Sequence, residues 1–362
     1  MTLYDRIADL SLDIEGYEFA RNHQDTGFPR VTTTVSLHGD GETGRGEDVI
    51  YTEEDHRALR ETTVEFPFAG EYTFDEFSAL LDETDLFPDR TPPRDSDYRF
   101  RRWAFESAAL DLALKQSDLT LAEALDEEYD PLRFVVSTGL GDPPSTDRVR
   151  GLLDDDPDLE FKLDPNPEWT PELMDELAAT DAVRILDFKG QYEKVPVAQP
   201  PLPEVYEQVA EAFPDALLED PALTDETRPT FDGIEGRVTW DHPITGVESV
   251  EALPFEPEYL NVKPSRFGTV ESLLDTVEYC RERDIRMYGG GQFELDVGRQ
   301  HIQALASLFY PDAPNDTAPR AYNDPGLATD LPGSPLSPPS DPRGFEWTPD
   351  TKPASEPPTP NE

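Results

Sequence analysis

Charged side chains close several short apolar runs of this chain at regular intervals. Asp187, Glu219 and Asp241 each end such a run, Lys263 ends the next one and Lys162 ends the one before them. The last four positions, 187, 219, 241 and 263, are 32, 22 and 22 residues apart, about one strand–helix unit each. Carboxylate oxygens are hard ligands that suit Mg²⁺, and lysine can transfer protons. The pattern predicts a divalent cation held by three acids between two lysines.

The elements that must position these residues lie between residue 133 and about residue 310. Short apolar runs alternate there with amphipathic stretches, which is typical of βα units and a parallel sheet. Seven repeats favour a closed barrel, although a doubly wound sheet has the same periodicity. In a barrel all C-terminal strand ends open on one face, so the five charged groups would converge. The candidate strands are Phe134–Ser137, Leu159–Leu163, Val183–Asp187, Ala216–Glu219, Arg237–Asp241, Tyr259–Lys263 and Ile285–Gly289.

The first part of the chain has a different pattern. Val31–Leu37 alternates as a strand does, Asp48–Tyr51 resembles a second strand, and helices are predicted to begin at Thr73 and to cover Arg102–Leu114. We therefore predict an α+β domain over residues 1–130 before an α/β barrel over residues 131–323.

The last part of the chain, residues 324–362, is rich in Pro, Ser, Asp and Gly. Such a composition buries too little apolar surface to offset its ordering entropy, so we predict a largely extended or disordered tail. Phe345 and Trp347 are the two residues of this tail that are suited to docking on the body.

Acidic residues dominate the composition. The chain has 78 Asp and Glu against 30 Lys and Arg, a formal charge of −48. This charge repels nucleic acid and anionic membranes, so neither is expected as a partner. The acid is spread along the whole chain, which favours a solvated coat suited to a halophilic source over an acidic interaction surface.

Other features of the composition indicate a cytoplasmic protein. Cys280 is the only cysteine, which excludes an intramolecular disulfide framework and fits a reducing compartment. The N-terminus lacks the basic and apolar regions of a signal peptide, and no run approaches 18 apolar residues.

The strand-end motifs together resemble the enolase superfamily, nearest its muconate-lactonizing and mandelate-racemase branches. The resemblance covers residues 30 to 323, and the helix around Ala104–Leu114 resembles the one that joins that family's capping domain to its barrel. It implies a (β/α)7β-type TIM-like barrel behind an N-terminal α+β capping domain. The motifs are Leu159-Glu-Phe-Lys-Leu-Asp, Leu186-Asp-Phe-Lys-Gly, Leu218-Glu-Asp-Pro, Trp240-Asp, Asn261-Val-Lys-Pro-Ser-Arg-Phe-Gly and Gly289-Gly-Gly-Gln-Phe-Glu.

The resemblance also implies roles. Asp187, Glu219 and Asp241 would bind Mg²⁺ or Mn²⁺, which would hold a substrate carboxylate and stabilise an enediolate. Lys263 would be a general base or acid, and Glu294 would lie near the substrate. Relatives of this kind commonly assemble, so a homo-oligomer is expected, with a small carboxylate as substrate.

Two positions depart from the family's pattern. The second strand usually ends Lys-x-Lys, whereas this chain has Lys162-Leu-Asp164, so either Lys162 or Asp164 takes the catalytic role or that face is inactive. The third strand usually ends Asp-x-Asn, but Lys189 occupies the Asn position, where it is a candidate for substrate binding and can also pair with Asp187 and compete with the metal.

Two N-terminal segments resemble loops that close over substrate in relatives. They are Gly16–Phe28 and Gly44–Asp48, and the first makes Tyr17, Arg21 and His23 candidates for substrate binding.

Three functions are compatible with these residues. The leading one is Mg²⁺-dependent removal of the proton α to a carboxylate, giving racemisation, epimerisation, cycloisomerisation or dehydration. Asp164 and Lys189 favour the second, a catalytically silent barrel that serves as a binding or structural protein. A Schiff-base aldolase that uses Lys263 is the third, and the three neighbouring acids disfavour it.

Overall fold

The computed structural model describes residues 1–192, 198–324, 326 and 331–348. The N-terminal part is an α+β unit in which β2, β3 and β4 form an antiparallel sheet and β1 pairs with β5. Its elements are β1 (Ser11–Ile14), β2 (Gly16–Asp25), β3 (Pro29–Gly39), β4 (Glu42–Asp48), α1 (Glu53–Glu61), β5 (Gly70–Thr73), α2 (Phe74–Glu83), α3 (Asp95–Gln116) and α4 (Leu121–Leu125).

Local sequence explains several of these elements. A capping box between Thr73 and Glu76 begins α2, as the predicted cap required. Helix α3 is buried on nearly every side from Phe100 to Lys115, because β4 packs directly on it. A Cβ atom at Gly44 or Gly46 would collide with the α3 backbone, so glycine permits this close approach.

Three predictions for this region were wrong. Asp48–Tyr51 is not a strand, because Asp48 is the last residue of β4 and the chain then leaves the sheet. Gly44–Asp48 and most of Gly16–Phe28 are not loops but lie in β4 and β2. The glycines of β4 serve the contact with α3.

The second part of the chain forms a parallel seven-stranded sheet whose strands follow one another in chain order. All seven predicted strands are present, with small shifts at their ends. The elements are β6 (Val136–Ser137), α5 (Asp147–Asp155), β7 (Phe161–Leu163), α6 (Pro171–Ala178), β8 (Val183–Asp187), α7 (Pro203–Ala212), β9 (Leu217–Glu219), β10 (Val238–Trp240), α8 (Val247–Glu251), β11 (Tyr259–Val262), α9 (Pro264–Phe267), α10 (Val270–Glu282), β12 (Arg286–Gly289) and α11 (Val297–Phe309). Short 3-10 helices cover Tyr4–Arg6, Arg228–Phe231, Glu235–Arg237 and Arg320–Asn323.

The residues that follow α11 close the curled sheet. The Asp316 N–H donates to the carbonyl of Gly289 at the end of β12 (2.8 Å), and the Val135 N–H donates to the carbonyl of Asn315 (2.8 Å). These bonds connect the last strand of the sheet to the first. The chain therefore has the predicted TIM-like barrel behind an N-terminal α+β unit.

The segment 331–348 has little regular structure but packs on the body of the protein. Phe345 and Trp347 are buried, and the Phe345 ring stacks on His301 at 4.0 Å. Beside them lies a set of paired charges that we call the tail anchor, formed by Arg45, Asp111, Lys115 and Glu346. Residues 349–362 lie outside the described part.

None of the described helices has the length and apolar character needed to cross a membrane.

Candidate metal centre

The barrel brings the five predicted strand-end charges to one buried site. The Lys162 ammonium donates to Glu219 Oε1 at 2.5 Å and lies 3.4 Å from Asp187 Oδ2. On the other side, the Lys263 ammonium donates to Asp241 Oδ2 at 2.9 Å. All five side chains are buried. They converge because parallel strands present their C-terminal ends on the same face of a barrel.

Asp241 is surrounded by cations and a phenol. Besides Lys263, the Arg266 guanidinium of α9 lies 3.2 Å from Asp241 Oδ1, and the Tyr192 hydroxyl donates to Oδ2 at 3.4 Å. Burial favours the neutral acid, but Arg266 and Lys263 outweigh it and hold the pKa of Asp241 well below its usual range. Asp241 is therefore an ionised carboxylate with its charge already compensated.

Glu219 lies at the centre of the site. It accepts hydrogen bonds from Lys162 and from the Tyr288 hydroxyl (2.5 Å to Oε2), and the Asn261 amide lies 3.4 Å from both of its oxygens. Burial raises the pKa of Glu219 to about 7, opposed by Lys162 and reinforced by Asp187 and Asp241. The ionised form of Glu219 thus requires more positive charge than Lys162 supplies.

Asp220 is a further site residue that the sequence pattern did not predict, although it stands in the Leu-Glu-Asp-Pro motif. Its oxygens accept the backbone N–H groups of Asp241 (2.8 Å) and His242 (2.9 Å), and its φ is +49°. Asp187, Glu219 and Asp220 each offer one oxygen within 4.8 Å of the others. Burial, together with the neighbouring acids, raises the pKa of Asp220 well above its usual value.

The two residues that depart from the family's pattern form a pair at the edge of the site. The Lys189 ammonium makes a short hydrogen bond with Asp187 Oδ2 and lies 3.3 Å from Asp164 Oδ1. Burial lowers the pKa of Lys189, but Asp164 and Asp187 outweigh it and raise the pKa well above its usual value. The predicted pairing of Lys189 with Asp187 is therefore present.

Asp316 belongs to the closing segment and reaches the site as well. Its Oδ2 lies 3.5 Å from the Lys162 ammonium. No strand-like alternation marks residues 313–317 in the sequence, so only the closure of the barrel reveals this residue.

The donor set fits a divalent cation. We call the charged groups of this site the mouth cluster, in which six carboxylates face four cations. With all six carboxyl groups ionised, the difference of two negative charges matches one ion such as Mg²⁺, and carboxylate oxygens are its preferred ligands. The members are Asp164, Asp187, Glu219, Asp220, Asp241, Asp316, Lys162, Lys189, Lys263 and Arg266.

Glu294 follows β12 on a loop that begins beside Lys263. A Cβ atom at Gly290 would lie 2.8 Å from Lys263 Cε, so the loop starts in contact with the mouth cluster. The Glu294 side chain itself is buried, accepts the Gln292 N–H at 2.6 Å and lies 3.6 Å from Arg299. Its role in substrate binding stays a prediction.

Three further predicted substrate residues lie on β2, and a role of Lys189 in substrate binding also stays a prediction. The Tyr17 hydroxyl accepts the Phe66 N–H at 2.9 Å, Arg21 pairs with Glu53 at 3.0 Å on the surface, and His23 is exposed. The contacts of Tyr17 and Arg21 are thus with the N-terminal unit, and a role of the three in specificity stays a prediction.

Family models and relatives agree with this architecture. A model described as "Domain of unknown function (DUF8230) C-terminal domain" matches residues 128–324, and the corresponding N-terminal domain matches residues 5–124. A curated relative, the o-succinylbenzoate synthase of Bacillus subtilis (strain 168), is 24% identical over 241 residues. That match covers 63% of this chain and spans 62% of the relative's length.

Solved structures share the fold over most of the chain. The muconate cycloisomerase from Pseudomonas fluorescens superposes with a TM-score of 0.65 at 16% identity, covering 94% of this chain and 97% of that one. The dipeptide epimerase from Methylococcus capsulatus, complexed with a Mg ion, has a TM-score of 0.63 at 15% identity, covering 84% and 89%. A member of the enolase superfamily from Listeria innocua also shares the fold, with a TM-score of 0.59 at 18% identity, covering 94% of this chain and 92% of that one, which confirms the predicted fold relationship.

Proposed function

Because the chain belongs to the family described as DUF8230 and has the fold of the enolase superfamily, we propose that it is a Mg²⁺-dependent enzyme that removes the proton α to a carboxylate. The observation that carries this proposal is the mouth cluster, where six carboxyl groups face four cations and Lys162 and Lys263 contact different acids. The relatives include a synthase, a cycloisomerase and an epimerase, which supports an enzyme without selecting a reaction.

The geometry supports a set of binding residues for the ion. Asp187 and Glu219 would bind it, with Asp220 or Asp241 as the third carboxylate. Asp220 has an oxygen within 4.8 Å of oxygens of Asp187 and Glu219, and Asp241 is the ligand that the family resemblance implies. A bound Mg²⁺, or Mn²⁺, supplies Lewis acidity that holds a substrate carboxylate and stabilises the negative charge left when the proton departs.

The protein's own groups have separate tasks in this proposal. Lys162 and Lys263 are the residues proposed to transfer protons at the α-carbon, one as the neutral amine that accepts the α-proton and the other as the ammonium that returns a proton, because both side chains extend from strand ends into the same buried site. Burial of both lysines excludes bulk water from the reacting centre. Asp220 accepts the N–H groups of Asp241 and His242 and so fixes the turn that presents Asp241.

Solvent-deuterium exchange tests this function. The purified full chain, with Mg²⁺ in high-salt buffer, should incorporate deuterium at the α-carbon of at least one member of a panel of carboxylic acids. We expect Lys162→Ala, Lys263→Ala and removal of Mg²⁺ each to reduce the exchange at least 100-fold, the range of general acid–base catalysis. Exchange that persists without Mg²⁺ would contradict the proposal.

The silent barrel remains a second candidate, because Lys189 pairs with Asp187 and the pair as a whole has no net charge. Turnover that depends on Lys162 or Lys263 would exclude it. Failure of the chain to bind Mg²⁺ at all, together with no exchange on any acid of the panel, would favour it over the enzyme.

A further inference from the structure

Lys189 is held in an unusual position for a lysine. It follows β8 by two residues and has a φ of +52°, a left-handed backbone conformation that residues other than glycine rarely adopt. Both of its donors point at one carboxylate: the ammonium bonds Asp187 Oδ2, and the backbone N–H donates to Oδ1 at 3.0 Å. A strained backbone of this kind persists where the surrounding contacts compensate it.

The ammonium has a second carboxylate within reach. Asp164 Oδ1 lies 3.3 Å away, at the outer edge of the site, where the Asp164 side chain is 46% exposed and that of Lys189 is 18% exposed. Lys162 is placed differently: its side chain is 2% exposed and it contacts Glu219 and Asp316 in addition to Asp187. Lys189 is thus the cation of the cluster that can leave Asp187 with a short movement toward solvent.

An ammonium and a divalent ion cannot both remain on Asp187 Oδ2 without strong repulsion, since unit charges a few Å apart interact by several kcal/mol at the edge of a protein. We infer that Lys189 is a positioning residue that neutralises Asp187 when no metal ion is bound and pairs with Asp164 when one binds. The Asp164–Lys189 pair then sets the affinity of the metal centre. This inference rests on the proposed function, because it takes Asp187 as a metal ligand.

Calorimetric titration of the metal-free full chain with MgCl₂ tests the inference. High-salt buffer screens distant charges, so the differences that remain are local. We expect Lys189→Met to bind Mg²⁺ about tenfold more tightly, because the competing charge is gone, and Lys189→Arg to stay close to the unaltered protein. Arg150→Met removes a surface charge paired with Glu176 and serves as the matched control, with no change expected.

Asp164→Asn gives the opposite result in this scheme. Without Asp164 the ammonium has no second partner, so we expect Mg²⁺ to bind about threefold more weakly. In the double variant Asp164→Asn/Lys189→Met no cation is left to redirect, and the affinity should equal that of Lys189→Met alone. Such a cycle measures the coupling between the two residues.

Two sets of results overturn the inference. If Lys189→Met binds Mg²⁺ no more tightly than Arg150→Met does, Lys189 does not compete with the metal ion. If Asp164→Asn weakens binding by the same factor when Lys189 is absent, the ammonium is not transferred to Asp164. Asp187→Asn separates this failure from that of the proposed function. If the unaltered chain shows no Mg²⁺ binding that Asp187→Asn abolishes, both fail; if it does and Lys189→Met does not tighten binding, only the inference fails.

Discussion

The mouth cluster and the tail anchor both bury charged side chains, but they differ in balance. In the tail anchor two acids face two bases: Lys115 donates to Asp111 (2.8 Å) and Glu346 (2.6 Å), and Arg45 donates to Glu346 (2.9 Å). The remaining oxygen of Asp111 accepts the Phe345 N–H at 2.9 Å. In the mouth cluster the acids exceed the bases by two.

This difference separates structural charge from functional charge. A buried carboxylate that is fully paired stabilises the arrangement around it, whereas uncompensated buried charge is costly unless a ligand neutralises it. The tail anchor should therefore respond to substitution with a loss of stability alone, and the mouth cluster with a loss of ligand binding.

The largest effect is expected at the apolar side of the tail anchor. Trp347 is fully buried and packs on Tyr129 with ring centroids 5.3 Å apart. We expect Trp347→Ala to lower the free energy of unfolding by about 3–5 kcal/mol, measured by denaturant titration. Mg²⁺ affinity of the folded variant should be unchanged; a loss of affinity would mean that the two regions are coupled.

Trp347→Phe is the matched control for this substitution. The indole N–H of Trp347 has no hydrogen-bond partner among the described residues, so phenylalanine removes a buried unsatisfied donor while keeping most of the ring contact. We expect a change in the free energy of unfolding below about 1.5 kcal/mol.

The second-largest effect on stability is expected when the metal ion is removed from the mouth cluster. If Asp187 is a ligand, Mg²⁺ at 100 times its dissociation constant stabilises the fold by about 2.7 kcal/mol, and chelation removes this. Thermal unfolding with and without Mg²⁺ measures the difference. We expect it to vanish in Asp187→Asn and to persist in Asp111→Asn; persistence in both would place the ion elsewhere.

Asp111→Asn tests the balanced region directly. The substitution leaves the Lys115 ammonium with Glu346 as its remaining carboxylate and removes one charge from a buried set. We expect the free energy of unfolding to fall by about 2 kcal/mol, because a buried charge loses part of its compensation. A neutral result in denaturant titration would show that the pairing contributes no net stability.

The smallest effect concerns Asp97 on α3, a buried carboxyl whose two oxygens have no hydrogen-bond partner among the described residues. Burial raises the pKa of Asp97 to about 6, opposed by Arg94 and reinforced by Asp55. The folded state therefore holds this proton more tightly than the unfolded state does. The stability that the bound proton contributes is complete below about pH 4 and is lost as the pH rises through about 6.

Asp97→Asn should remove this pH dependence. We expect the variant to be more stable than the unaltered protein by about 1 kcal/mol at pH 8 and to have a flatter stability profile between pH 4 and 6. Chemical denaturation at a series of pH values measures both. A variant that is less stable at pH 8 would show that the charged form of Asp97 is the favoured one.

The barrel could be predicted because its signals are local. Each strand from Phe134 to Gly289 is a short apolar run between helical patterns, and in five of the seven a charged residue ends or directly follows the run. Helix starts such as Thr73 carry their own capping chemistry. The sheet of the N-terminal unit was harder to predict, because the residues of β4 are explained by contact with α3 and not by alternation.

The amino-acid sequence by itself determined which charged groups stand at the strand ends, because strand periodicity and parallel topology send Lys162, Asp187, Glu219, Asp241 and Lys263 to one face. Only the tertiary structure decided which charges are already matched. Arg266, Asp220 and Asp316 reach the site from a helix, a turn and the closing segment, and no spacing encodes those approaches. Charge balance in a buried site depends on distances through space, and the linear order of residues does not contain them.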